Sequence, residues 1–270
     1  MRQLLCALLL AGLAACSDNA SKQVQTGPPA VAKTSVDSVP ATTSITQLTP
    51  QAVKLADIPA KLRLPGQLLE AWRWTDANGE NLLVVFKQEQ EQANTAGQAG
   101  EAYQELPDQS VELFARQYVQ RDGDYKELWR LQDAVRHCNF DIWLGPLSGA
   151  TSITDLDHDG QSETTLIYKL TCRSDVSPSN LKLVMREGPA KYALRGYTVV
   201  QYDSVPAAQR IPASSCCLDT IRPARLEKYY GLLHGRYETE QEFRQAPPAF
   251  LRFARQQWRH WCVEREFEQL

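Results

Sequence analysis

Beyond its N-terminus the 270-residue chain has no apolar run long enough to cross a bilayer, which excludes a polytopic membrane protein. Basic residues are not in excess either, with 29 Lys+Arg against 32 Asp+Glu and a formal net charge of −3. Without a positive surplus there is no wholesale neutralisation of phosphates, so nucleic acid is excluded as a partner. Gly is only 14 and no long heptad run occurs, which removes collagen-like and coiled-coil arrays. Gly-x-Ser-x-Gly, His-Glu-x-x-His, the phosphate-binding loop, the dinucleotide fingerprint and Cys-x-x-Cys are all missing. A carboxylate pair from distant strands leaves no local spacing, so glycoside hydrolysis stays open. What remains is a chain with 43% apolar residues, rich enough in them to fold around a core.

The first residues address the chain. Met1-Arg2-Gln3 carries one positive charge, Leu4 to Leu13 is a short apolar run, and Ala14-Ala15 precede Cys16, the layout of a secretory signal. Leu13-Ala14-Ala15-Cys16 resembles the lipobox of bacterial lipoproteins. The resemblance implies removal of residues 1–15, acylation of Cys16 and a lasting membrane anchor, since each buried methylene contributes ~0.8 kcal/mol. Ser17, in the place where Asp is the inner-membrane retention signal of that family, implies the outer membrane, on its periplasmic face. The alternative is an ordinary signal peptide that leaves Cys16 as a thiol. Residues 16–52 then read as a lipidated tether rich in Ser, Thr, Ala, Gln and Pro, with a reach of roughly 30 Å. The body is expected to begin at Val53.

Within the body, residues 53–222 read as β-rich and 223–270 as C-terminal helices packed on the same domain. Trp72–Asp76 and Glu80–Phe86 flank Asn78-Gly79 as a hairpin, and Gln88–Gly100 reads as an exposed loop. Val111–Gln120 fits a strand or a helix, with the strand preferred because Arg121–Asp124 then turns into Tyr125–Leu131. Strands are expected at Cys138–Leu144, Thr164–Thr171, Leu181–Met185 and Tyr192–Tyr202. Such spacing predicts a mainly β (α+β) fold, an antiparallel meander forming a sandwich or a propeller-like sheet. Pro223–Leu233 has helical spacing, Thr239–Glu242 has the form of a capping box, and Phe250, Ala254, Trp258 and Trp261 make an apolar stripe.

The chemical signal lies in Asp155-Leu-Asp157-His-Asp159-Gly160-Gln-Ser-Glu163, with oxygen-bearing side chains at loop positions one, three, five and nine and Gly at six. That spacing wraps a hard cation such as Ca²⁺, with Asp155, Asp157 and Asp159 as direct ligands, the Gln161 carbonyl as a backbone oxygen, and Glu163 direct or through water. An acidic hairpin turn without an ion is the plainer alternative, and mutual repulsion of the carboxylates argues against it. Leu166 stands where an EF-hand has its twelfth-position Glu and the flanks read as strands, so a calmodulin-like switch is not expected. The nine residues resemble instead the calcium loops of FG-GAP and dockerin-type repeats. A wider run, with Cys172, Asp175–Pro178, Leu181-Lys182 and Lys191–Gly196, resembles a group of bacterial envelope proteins named for surface polysaccharide biosynthesis. That resemblance spans roughly residues 125–200 and implies an envelope setting without a mechanism.

With Cys6 in the leader and Cys16 lipidated, Cys138, Cys172, Cys216, Cys217 and Cys262 remain, and in an oxidising compartment two disulfides are expected. The expected pairs are Cys138–Cys172 and either Cys216 or Cys217 with Cys262. Trp72 and Trp74 share a strand face and could offer a sugar platform, but core burial is the plainer reading. Arg173-Ser-Asp175 and Lys191-Tyr192 are candidate contacts for an anionic glycan, with solvated charge as the default. Taken together, the sequence predicts an outer-membrane lipoprotein with a structural Ca²⁺ that binds an envelope glycan or protein in surface polysaccharide biogenesis. A periplasmic glycan hydrolase or modifying enzyme and a non-catalytic assembly factor are the alternatives.

Overall fold

The computed structural model describes residues 48–92, 108–200 and 206–264. Cys16, the leader and most of the tether lie outside the described residues. Five strands form a first antiparallel sheet in chain order: β1 (Gln51–Ala52), β2 (Gln67–Asp76), β3 (Gly79–Gln92), β4 (Asp108–Arg121) and β5 (Asp124–Cys138). A second antiparallel sheet holds β6 (Asp141–Pro146), β7 (Ser152–Thr154), β8 (Glu163–Arg173), β9 (Asn180–Glu187) and β10 (Ala190–Tyr197) in the order β10-β9-β8-β6, with β7 also on β8. The two sheets form a sandwich, which settles the choice against a propeller-like arrangement.

Strand alternation explains the layering, because successive side chains leave a strand on opposite faces. Leu166, Tyr168, Leu170 and Val184 pack with Leu83, Val85, Leu113 and Trp129 between the sheets. Their odd-numbered neighbours Ile167, Leu181, Leu183 and Met185 pack the other way, against the C-terminal segment. The outer face of the first sheet, through Leu82, Val84 and Phe86, is covered by Ile58, Leu62 and Leu64. β8 is therefore buried nearly throughout, as expected of a strand covered on both faces, its polar residues included. The predicted stripe covers the second sheet: α3 (Pro248–Trp261) buries Phe250, Ala254 and Trp258, preceded by short helices α1 (Ala207–Arg210) and α2 (Pro223–Lys228).

Several expectations move. The sheet starts before Val53, since Gln51 and Ala52 pair with Arg73 and Trp72; both are exposed and are held by backbone pairing, which leaves no apolar trace in the sequence. Gln88–Gln92 continue β3 instead of opening a loop, because β4 pairs with them as far as Asp108. The strand expected over Tyr192–Tyr202 ends at Tyr197. Val111–Gln120 is strand, and its turn uses Asp122 and Gly123 at φ 56° and 80°, the two left-handed residues of a two-residue hairpin loop. The capping box does not form: Glu242 pairs with Arg195, while the Thr239 hydroxyl accepts from the Gln241 N–H at 3.3 Å.

Cys138 and Cys172 are bridged, tying the end of β5 to β8 and so one sheet to the other. The second expected linkage is corrected: Cys216 is joined to Cys217. Cys262 lies buried at the end of α3, where its thiol turns back onto the Arg259 carbonyl of its own helix at 3.7 Å. Peptide mapping without reduction is expected to recover the Cys138–Cys172 linkage, and any Cys262-linked peptide overturns this arrangement.

Candidate metal centre

The acidic segment is the hairpin loop between β7 and β8, with Thr154 opposite Glu163 in register. Leu156 pins it by packing into the core beneath the C-terminal helix. Its sharp reversal places His158 and Gly160 at φ 63° and 86°, and His158 is exposed, as expected of a residue between ligands. The Asp159 carboxylate accepts from the Gln161 backbone N–H at 2.7 Å and from its side-chain amide at 2.9 Å. Gln161 thus orients Asp159, a role not foreseen from the spacing.

The β2–β3 turn braces the loop from the first sheet. The Ala77 N–H donates to the Gly160 carbonyl at 2.8 Å, and Asp76 accepts from the Ser162 N–H and hydroxyl at 3.1 and 2.6 Å. Trp74, buried between the sheets, donates its indole N–H to the Ser162 hydroxyl at 2.8 Å. Trp72 is half-buried and donates to Glu70 at 3.0 Å. Trp74 belongs to the inter-sheet core and Trp72 packs against it, the plainer of the two readings. Arg173 is likewise buried on Glu264, which removes it as a glycan contact.

Glu163 is 0% exposed. Its carboxylate accepts from the Thr154 hydroxyl at 2.8 Å and from the Leu156 N–H at 3.0 Å. Burial pushes its pKa up to about 7, with Asp157 and Glu187 adding to the rise and the Thr154 and Leu156 hydrogen bonds opposing it. Sequence reading missed Glu187. It is the register partner of Glu163 across β8 and β9, and it precedes Gly188-Pro189, where it passes for turn punctuation. Burial, followed by the charges of Asp157, Asp159 and Asp155, raises the Glu187 pKa as well.

Two overlapping groups result, Asp155 with Asp157 and Glu163, and Asp157 with Asp159 and Glu187; within each, one oxygen per residue lies within 4.8 Å of the others. Oxygens bound to one Ca²⁺ at roughly 2.4 Å can be at most about 4.8 Å apart, so neither group is too widely spread to share one such ion. Among the described residues, Asp155 Oδ1 and Glu187 Oε1 are buried and without a hydrogen-bond partner. Such orphaned acceptors are costly unless something supplies positive charge. Compared with known proteins, the chain matches no family model, and no curated protein or solved structure is found similar to it.

Proposed function

We propose that this chain is a lipoprotein of the outer membrane, anchored through Cys16, whose β-sandwich is completed by Ca²⁺ and binds a component of the envelope in surface polysaccharide biogenesis. The observation that carries the ion is the convergence of five carboxylates, from the β7–β8 loop, the start of β8 and the end of β9, around orphaned oxygens of Asp155 and Glu187. Ca²⁺ suits an all-oxygen donor set with no Cys or imidazole ligand. It would lock the β7–β8 loop to β9 and, through Ser162 and Gly160, to the β2–β3 turn. The role is structural. Glu163 has a raised pKa but no exposed surface, so no polymer reaches it as a proton donor.

The test is thermal unfolding of the full chain in EDTA and in calcium, with Asp157→Ala beside it. Calcium at one hundred times its dissociation constant is expected to add about 2.7 kcal/mol, and the variant, which takes a ligand from both groups, is expected to lose the gain. Equal melting in EDTA and millimolar calcium would reduce the loop to an acidic turn.

A further inference from the structure

β9 and β10 twice set cation against cation. In their register Lys182 faces Arg195 and Arg186 faces Lys191, although like charges directly opposite one another weaken a strand pair. Alternation puts all four on the face of Val184 and Ala193, which line the inter-sheet core, and sends Glu187 and the acidic loop to the opposite face. From the first sheet, its edge strand β5 adds Arg130 and Asp133, enclosing a cleft of about 280 Å³ with five cations against one acid.

Three of those cations are neutralised internally. Asp133 takes Lys182 and also the Tyr168 hydroxyl, Glu127 takes Arg130 at 2.6 Å, and Glu242 takes Arg195. Among the described residues neither Arg186 nor Lys191 has a carboxylate at salt-bridge distance. Arg186 lies over the Trp129 ring, 5.6 Å from its centroid, and gives its terminal nitrogens to the carbonyls of Arg130 at 3.3 Å and Pro189 at 3.4 Å. Its Nε is buried without a partner. Burial holds the guanidinium below its ordinary pKa, with Glu242 opposing, which marks it as desolvated before any ligand arrives.

We propose that this cleft binds a phosphate monoester, held between Arg186 and Lys191. The two uncompensated charges match a group carrying about −1.5 to −2 at neutral pH. Residues directly opposite across a strand pair have Cβ atoms about 5 Å apart, so both side chains reach the oxygens of one phosphate. The volume, just under that of a drug-sized pocket, takes one phosphorylated unit. The inference deepens the binding reading proposed above and rests on it, but it is independent of the calcium ion. Lys191 is thereby separated from its neighbour Tyr192, which packs on Phe243 and Phe250.

The experiment is calorimetric titration of the full chain with inorganic phosphate and with a hexose phosphate, and unphosphorylated hexose as control. Saturable binding of both phosphates, silent for the plain sugar and weakened about tenfold or more in Lys191→Gln, is expected, since a charge-assisted hydrogen bond is lost. Lys191 is exposed, so this variant keeps the fold, and Arg186→Gln is the second arm. Competition with phosphatidic acid vesicles assigns the source: displacement by hexose phosphate alone points to a saccharide, displacement by vesicles to a headgroup. The titration is expected to be unchanged in EDTA, which separates this site from the calcium centre. No saturable phosphate binding at millimolar concentration, or equal binding in Lys191→Gln, overturns the proposal.

Discussion

Glu264→Gln is expected to destabilise the domain by about 3–5 kcal/mol, the range for removing one partner of a buried ion pair. Glu264 sits just past α3, where the chain turns back and pairs in parallel with Val199: the Val199 N–H donates to the Cys262 carbonyl at 2.7 Å and the Glu264 N–H to the Val199 carbonyl at 2.9 Å. This pairing drives its carboxylate, 1% exposed, under the second sheet. There it accepts from Lys169 at 3.0 Å, from Arg173 at 2.8 Å, and from the hydroxyls of Ser179 and Thr198 at 3.0 and 3.1 Å. Lys169 also lies over the Trp143 ring, 4.8 Å from its centroid. Gln keeps the shape but removes the negative charge that Lys169 and Arg173 both face, so part of the cost of burying those cations is no longer offset. Lys169→Met is expected to cost less, because Arg173 still neutralises Glu264. Urea unfolding at neutral pH reads both; a loss below about 1 kcal/mol for Glu264→Gln would show the hub to be no more than a surface-like pair.

That hub was invisible in the sequence for the same reason that Glu187 was. Spacing reports only what one segment brings, and it placed Asp155, Asp157, Asp159 and Glu163 in a single hairpin loop because those residues are neighbours in the chain. Glu187 reaches the loop only through the β8–β9 register, and Glu264 reaches Lys169 only after α3 has docked. The cationic cleft falls between these cases. Lys182 and Arg186 recur at an interval of four along one strand, as do Lys191 and Arg195 along the next, but only the hairpin register turns two one-sided strands into facing pairs. Layer membership was easier to read: the helical stripe of Phe250, Ala254 and Trp258 specifies a buried face whatever it covers, whereas paired polar segments such as Gln88–Gln92 carry no burial signal.

Stability in EDTA is expected to fall as pH rises from about 4.5 to 7, by on the order of 3 kcal/mol, and calcium is expected to matter most above that window. Glu163 has an ordinary pKa of 4.5 that burial raises to about 7 in the folded chain. Between those values the folded state keeps a proton that the unfolded state has released, so unfolding becomes easier with each step up in pH. The contribution is complete below 4.5 and gone above 7. Glu187, raised by burial and by the three loop aspartates, acts in the same direction. A cation demands the ionised carboxylates, so below neutrality it competes with the Glu163 proton, and its affinity should drop about tenfold per pH unit. At calcium one hundred times the dissociation constant measured near neutrality, the gain of about 2.7 kcal/mol over EDTA should shrink by about 1.4 kcal/mol per unit and nearly vanish by about pH 5. Glu163→Gln removes the larger titrating contribution while keeping an acceptor for the Leu156 N–H, and is expected to reduce the slope of the EDTA profile to the part owed to Glu187 and to weaken calcium together. Melting curves across that range, with and without calcium, decide it: a calcium gain that is the same at both ends would mean that Glu163 is not displaced from its proton by the ion and stands outside the coordination sphere.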